Sequence, residues 1–245
     1  MYLGGIDLTY LIFVLPALIL SLVSSAMVKS RFAQYNKVAT SKGITGAQAA
    51  EILMRANGIT DVKITHISGQ LTDNYNPTNK TLNLSDATYS STSIAAVGVA
   101  AHETGHAIQY KVGYGPLKLR STLVPVANIG SRFGPVLAIA GLAFGASNQF
   151  SEQLSIFQLI TNIGLVLFGM SVLFYIVTLP VEFNASSRAL KILKETGVFT
   201  ENEEIAGAKR VLTAAAMTYV ASALTAIGSF LRLLLITNSR NNRRR

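Results

Sequence analysis

Two of the three histidines in this chain, His102 and His106, lie four residues apart and enclose a glutamate in the run Ala101-His102-Glu103-Thr104-Gly105-His106. On an α-helix, residues four apart share a face. Both imidazoles can therefore reach one ion while Glu103, one residue round, addresses a water on that ion. Zinc in such a site lowers the pKa of its bound water from about 16 to about 7, and a neighbouring carboxylate can take the proton as the oxygen attacks a carbonyl. The spacing predicts hydrolysis of a peptide bond, with His102 and His106 as zinc ligands and Glu103 as general base. A catalytic zinc usually takes a third protein ligand. The chain has no cysteine, so that ligand must be His, Asp or Glu, and disulfides are excluded.

The motif needs a helix to carry it. Ser93 to Ala101 is small and apolar with Ser93 placed to act as N-cap, which predicts a buried helix through the motif. Gly105 weakens that helix by about 1 kcal/mol relative to alanine, a loss usually accepted where something must approach the backbone closely.

Composition says where the helix sits. Of 245 residues, 50% are hydrophobic and only 13% charged, and the mean hydropathy is +0.40, too apolar for an ordinary soluble fold. Four stretches reach the length of about 20 residues that a hydrocarbon core of about 30 Å demands: Leu8 to Val28, Thr122 to Ala146, Ile156 to Val181, and Val211 to Ile236. The first has only Asp7 as a charged neighbour before it and exceeds a signal peptide's apolar region, so it reads as an uncleaved anchor. Arg132 and Arg232 read as arginines reaching the interface. The expected organisation is an anchor (1–29), a polar segment carrying the motif (30–121), a transmembrane hairpin (122–181), a second polar segment (182–210) and a C-terminal span with a basic tail (211–245).

Four spans place both polar segments on one side of the membrane. In the first, Thr45-Gly46-Ala47-Gln48 is a capping box opening a helix that Gly58 ends. Val62 to Ile67 and Thr81 to Leu84 alternate like strands, separated by the turn-rich Asp73 to Asn79. Two strands followed by a motif-bearing helix suit a small α/β zincin-like unit, in which a strand edge can pair with an extended substrate. His66 lies on the first strand and reads as a half-exposed strand residue. In the second polar segment, Glu182 stands at the junction of the third span with a further helix, on the side that carries His102 and His106, well placed to complete a His, His, Glu site.

The run Ser93 to Gln109, the segment Leu123 to Ser131, and Leu179-Pro180-Val181-Glu182-Phe183-Asn184-Ala185-Ser186 resemble the neutral zinc metallopeptidase family of bacterial membrane proteins, the YugP type. The similarity continues through Thr213 to Tyr219, so nearly the whole chain is covered. The resemblance implies a membrane-embedded zinc peptidase, more distantly similar to HExxH membrane proteases of the prenyl-protein-processing and heat-shock type. Their third ligand opens a Glu-x-x-x-Asp motif, and the matching position here is Glu182. Ser186 stands where those relatives have the aspartate, leaving a hydroxyl to orient a ligating histidine. The family's Asp-His-Tyr-Asp-Pro run is replaced by Asp73-Asn74-Tyr75-Asn76-Pro77, so the resemblance assigns that loop no role. Peptidases of this kind steady a tetrahedral oxyanion, for which Tyr219 and Arg188 are the candidates.

A net charge of +9 invites a nucleic-acid partner, but the basic residues are spread along the chain and no nucleic-acid motif accompanies them, so none is expected. Lys29, Arg31, Lys37, Lys111, Lys118, Arg120, Arg188, Lys191, Lys194, Lys209 and Arg210 all flank the polar side, which the positive-inside rule makes cytoplasmic. The tail, Arg240 and Arg243 to Arg245, opposes that orientation. The sequence thus predicts a mainly α membrane protein with an HExxH domain on one face, a Zn²⁺-dependent endopeptidase acting on peptides or proteins beside the lipid bilayer. Its rival is a metal-free membrane scaffold or chaperone on the same fold. A transporter is disfavoured, since no acidic or basic pair lies deep within the spans.

Overall fold

A backbone in lipid must satisfy its own polar groups, so long apolar stretches fold as helices. In the computed structural model, which describes residues 2–3, 6–147 and 151–242, the elements run β1 (Tyr2–Leu3), β2 (Ile6–Asp7), α1 (Leu8–Phe13), α2 (Leu15–Tyr35), α3 (Gly46–Ala56), β3 (Lys63–Ile67), β4 (Asn74–Asn76), β5 (Thr81–Ser85), α4 (Asp86–Tyr89), α5 (Ile94–Lys111), α6 (Gly115–Ser147), α7 (Ser151–Glu195) and α8 (Asn202–Asn242). The protein is mainly helical with a small three-stranded sheet. Among the described residues, four helices are long and apolar enough to cross a membrane: Leu8–Tyr35, Gly115–Gly145, Ile156–Glu195 and Asn202–Ser239. The break between α1 and α2 falls at Val14, two residues before Pro16, which lacks an N–H and sits in the first turn of α2. Of the basic tail, Arg243 to Arg245 lie outside the described residues.

The helices overrun the apolar stretches read from sequence. At 45 residues, α7 is about 65 Å long, more than twice the hydrocarbon thickness of about 30 Å. Its end, from Leu179, belongs to a different compact unit from its beginning.

One unit comprises Met1–Leu22, Leu119–Thr178 and Tyr219–Arg245. Its core gathers Ala138, Phe168 and Leu233, with the Phe168 and Phe230 rings 5.8 Å apart and edge to face. Close packing there depends on small residues. A Cβ on Gly130 would strike the Leu167 carbonyl, and Gly134, Gly141 and Gly145 along the same helix also face α7. Outward, Leu22 is 73% and Val166 67% exposed, the apolar surface expected of a lipid-facing wall.

The other unit comprises Val23–Lys118 and Leu179–Thr218. Here α3 starts with the expected capping box between Thr45 and Gln48, closed by hydrogen bonds of 3.2 and 2.9 Å, and Gly58 follows its C-cap at φ 64°. The sheet order is β3-β5-β4, with β3 parallel and β4 antiparallel to β5. Leu82 and Leu84 of β5 are fully buried beside Leu53, Val97 and Leu193. The turn-rich segment Asp73 to Asn79, expected only to separate two strands, itself contains a third, β4. The Asp73 carboxylate accepts from the Ser85 N–H and hydroxyl at 2.8 and 2.9 Å, and Asn83 donates to Asn74 at 2.9 Å. These side-chain bonds flank the backbone pairing of β4 with β5, an edge strand that period-two apolar patterning does not reveal.

Candidate metal centre

The motif helix, α5, begins where the small apolar run suggests. Ser93 is its N-cap, the hydroxyl accepting from the Ala96 N–H at 3.1 Å. His102 and His106 emerge on one face, their rings 4.8 Å apart and nearly perpendicular. From α7, Glu182 reaches the same point, its side chain only 2% exposed. Its Oε2 lies 3.3 Å from His102 Nε2 and 3.5 Å from His106 Nε2. Two ligands on a tetrahedral zinc, at bond lengths of about 2.1 Å, sit about 3.4 Å apart. The donor set of two imidazole nitrogens and one carboxylate oxygen, all within 4.8 Å of one another, could hold such an ion.

Close approach of α5 to α7 makes the convergence geometrically available. A Cβ on Gly105 would lie 2.6 Å from the Ala185 carbonyl oxygen, so the glycine inside the motif is where α7 comes against α5. Burial acts to lower the His106 pKa, but the hydrogen bond to Glu182, the charges of Glu103 and Glu182 and the Gln109 contact outweigh it and hold the imidazole above its ordinary value.

Neutral groups bind the far side of each ring. Ser186 Oγ lies 3.1 Å from His102 Nδ1, so the hydroxyl does meet the ring. Gln109 Oε1 lies 3.0 Å from His106 Nδ1, while its amide nitrogen donates to Val181 O at 2.8 Å and Asn184 Oδ1 at 3.0 Å. No motif in the sequence marks Gln109 as a site residue, although its spacing of three from His106 and seven from His102 sets it on their face.

Glu103 is half-buried, and its Oε2 accepts a 3.0 Å hydrogen bond from the Tyr75 main-chain N–H. The Asp73 to Pro77 loop therefore touches the expected base. This contact uses backbone, so the departures at Asn74 and Asn76 do not alter it. Arg188 donates to Asn184 Oδ1 at 2.7 Å and lies 6.0 Å from the centroid of the Tyr114 ring. Tyr219 is half-buried on α8 and belongs to the first unit described above, not to the one containing the cluster. His66 is turned elsewhere, its Nε2 2.7 Å from Asp86 Oδ1.

Fold and cluster together define a membrane-associated helical protein with a preformed His, His, Glu group. The chain belongs to the neutral zinc metallopeptidase family, whose model, described as "Putative neutral zinc metallopeptidase", matches residues 10–238. It is 41% identical over 227 residues to the "Putative membrane protease YugP" of Bacillus subtilis (strain 168), an alignment covering 93% of this chain and 96% of the relative. No solved structure matches it.

Proposed function

We propose that this protein is a zinc-dependent integral-membrane endopeptidase whose HExxH helix and strands form a zincin-like unit on the cytoplasmic side, acting on peptide or protein substrates. The observation carrying this reading is the convergence of His102 Nε2, His106 Nε2 and the Glu182 carboxylate within 4.8 Å, with Glu103 one residue along the same helix. His102, His106 and Glu182 would hold the metal, which when bound supplies a Lewis acid and an acidified water near neutral pH. Glu103, held at Oε2 by the Tyr75 N–H, accepts the proton of the attacking water at its carboxylate and returns it to the departing amine. The carbonyl carbon passes through a tetrahedral state as the C–N bond breaks. Burial of Glu182 and the partial cover over both imidazoles keep bulk water from competing for the donors.

The test is metal analysis of the purified protein together with Glu103→Gln assayed on unfolded membrane proteins or casein. One zinc per chain, with Glu103→Gln retaining zinc but losing about 10²- to 10⁴-fold in kcat, is the expected result. A protein that takes up no zinc and merely keeps unfolded substrates soluble would establish the scaffold or chaperone reading instead.

A further inference from the structure

We propose that Gln109 is a positioning residue that selects the Nδ1-protonated tautomer of His106 and so aims the Nε2 lone pair at the metal position; the inference rests on the zinc reading above. A neutral imidazole can carry its proton on either nitrogen, and only an unprotonated nitrogen binds a metal. Which one is free is set by the hydrogen bond made by the other.

The directions of the hydrogen bonds around His106 follow from groups that have no choice. The Arg188 guanidinium only donates, so the Asn184 atom 2.7 Å from its Nε is the amide oxygen. The Val181 carbonyl only accepts. Gln109 therefore presents its NH₂ to Val181 O and Asn184 Oδ1, spending both donors at 2.8 and 3.0 Å. Flipping the amide would set its oxygen against two other oxygens at a fully buried position, lone pair against lone pair with no proton between them. With the amide so fixed, Oε1 faces His106 Nδ1 at 3.0 Å and can only accept. In the neutral ring Nδ1 therefore carries the proton and Nε2, 3.5 Å from Glu182 Oε2, presents its lone pair; only in the imidazolium is Nε2 protonated as well. Arg188, Asn184 and Gln109 thus form a directional chain from α7 to the α5 imidazole.

Histidine ¹⁵N NMR on zinc-free protein in detergent, at a pH above the imidazole titrations, reports which ring nitrogen is protonated, and His66→Gln simplifies assignment. Wild type should show Nδ1–H at His106. In Gln109→Leu that signature should give way to Nε2–H, and zinc affinity, read by competition with a chromophoric chelator, should fall about 10- to 100-fold. Asn184→Asp still accepts from both Arg188 and Gln109 and should keep the wild-type tautomer. An Nε2–H signal at His106 in wild type, or an unchanged tautomer in Gln109→Leu, overturns the proposal. Failure of wild type to take up zinc would overturn the metal reading separately, because the tautomer is measured without metal.

Discussion

A carboxylate buried between two imidazoles makes the proton and a metal ion rivals for the same nitrogens. In the metal-free protein the hydrogen bond and charge of Glu182, aided by Glu103, lift His106 above the ordinary imidazole value of about 6.5. The His106 proton therefore stabilises the metal-free fold below that ordinary value, and this contribution is lost as pH rises through the raised one. Zinc needs the neutral ring, so the sign for binding is opposite: affinity should keep climbing with pH beyond about 6.5, where an unperturbed histidine would already have levelled off. Chelator competition across this window checks it, and a flat profile above pH 6.5 would refute it. The second imidazole has a weaker support, a serine hydroxyl 3.1 Å from Nδ1. Ser186→Ala should lower zinc affinity by up to about 10- to 100-fold while leaving the far-UV circular dichroism unchanged, since Ser186 is only half-buried.

At the scale of elements, everything at the centre depends on how closely α5 and α7 approach. Helix propensity alone would make Gly105→Ala stabilising by about 1 kcal/mol. Overpacking opposes it: the new Cβ would come 2.6 Å from the Ala185 carbonyl oxygen, and forcing packed backbones apart usually loses about 1–3 kcal/mol. The second effect should win, so thermal unfolding in detergent should fall in temperature and zinc affinity should weaken with it, whereas Gly115→Ala, which meets open space, should do neither. A Gly105→Ala protein that binds zinc normally and melts higher would refute the close-approach argument. The same pair of helices marks how far sequence reading carries. The i, i+4 histidines, the Ser93 cap and the apolar stretches are local signals, and local periodicity states them directly. The meeting of Glu182 with residues far before it is not local; only its place at a span boundary and the family resemblance brought it forward. Strand β4 and the Tyr75 contact to Glu103 escape because a polar Asn-Tyr-Asn segment has no apolar alternation, and the Asp73 and Asn83 side chains that reinforce its backbone pairing with β5 declare no strand. The glycines of α6 that face α7 are regular in spacing, yet apolar composition alone registers them as span filler.

For the molecule as a whole, the orientation across the membrane is set by a contest of charges. Each basic residue near an anionic cytoplasmic leaflet is worth about 1 kcal/mol. Lys29, Arg31, Lys37, Lys111, Lys118, Arg120, Arg188, Lys191, Lys194, Lys209 and Arg210 outnumber Arg240 and Arg243 to Arg245, so the first group should hold its side in the cytoplasm even if the tail is carried across. The absence of native cysteine allows this to be read one residue at a time, because any introduced thiol is the only one present. Lys63 on β3 and Ser239 near the end of α8 are both exposed. In intact cells a membrane-impermeant maleimide should miss Lys63→Cys until the membrane is permeabilised, and should reach Ser239→Cys from outside. Labelling of Lys63→Cys in intact cells would reverse the orientation and put the His102, His106 and Glu182 cluster on the outer face. Protection of both thiols would mean that α8 does not complete its crossing, with the basic tail then joining the other cationic residues on the cytoplasmic side, where their charge is favoured.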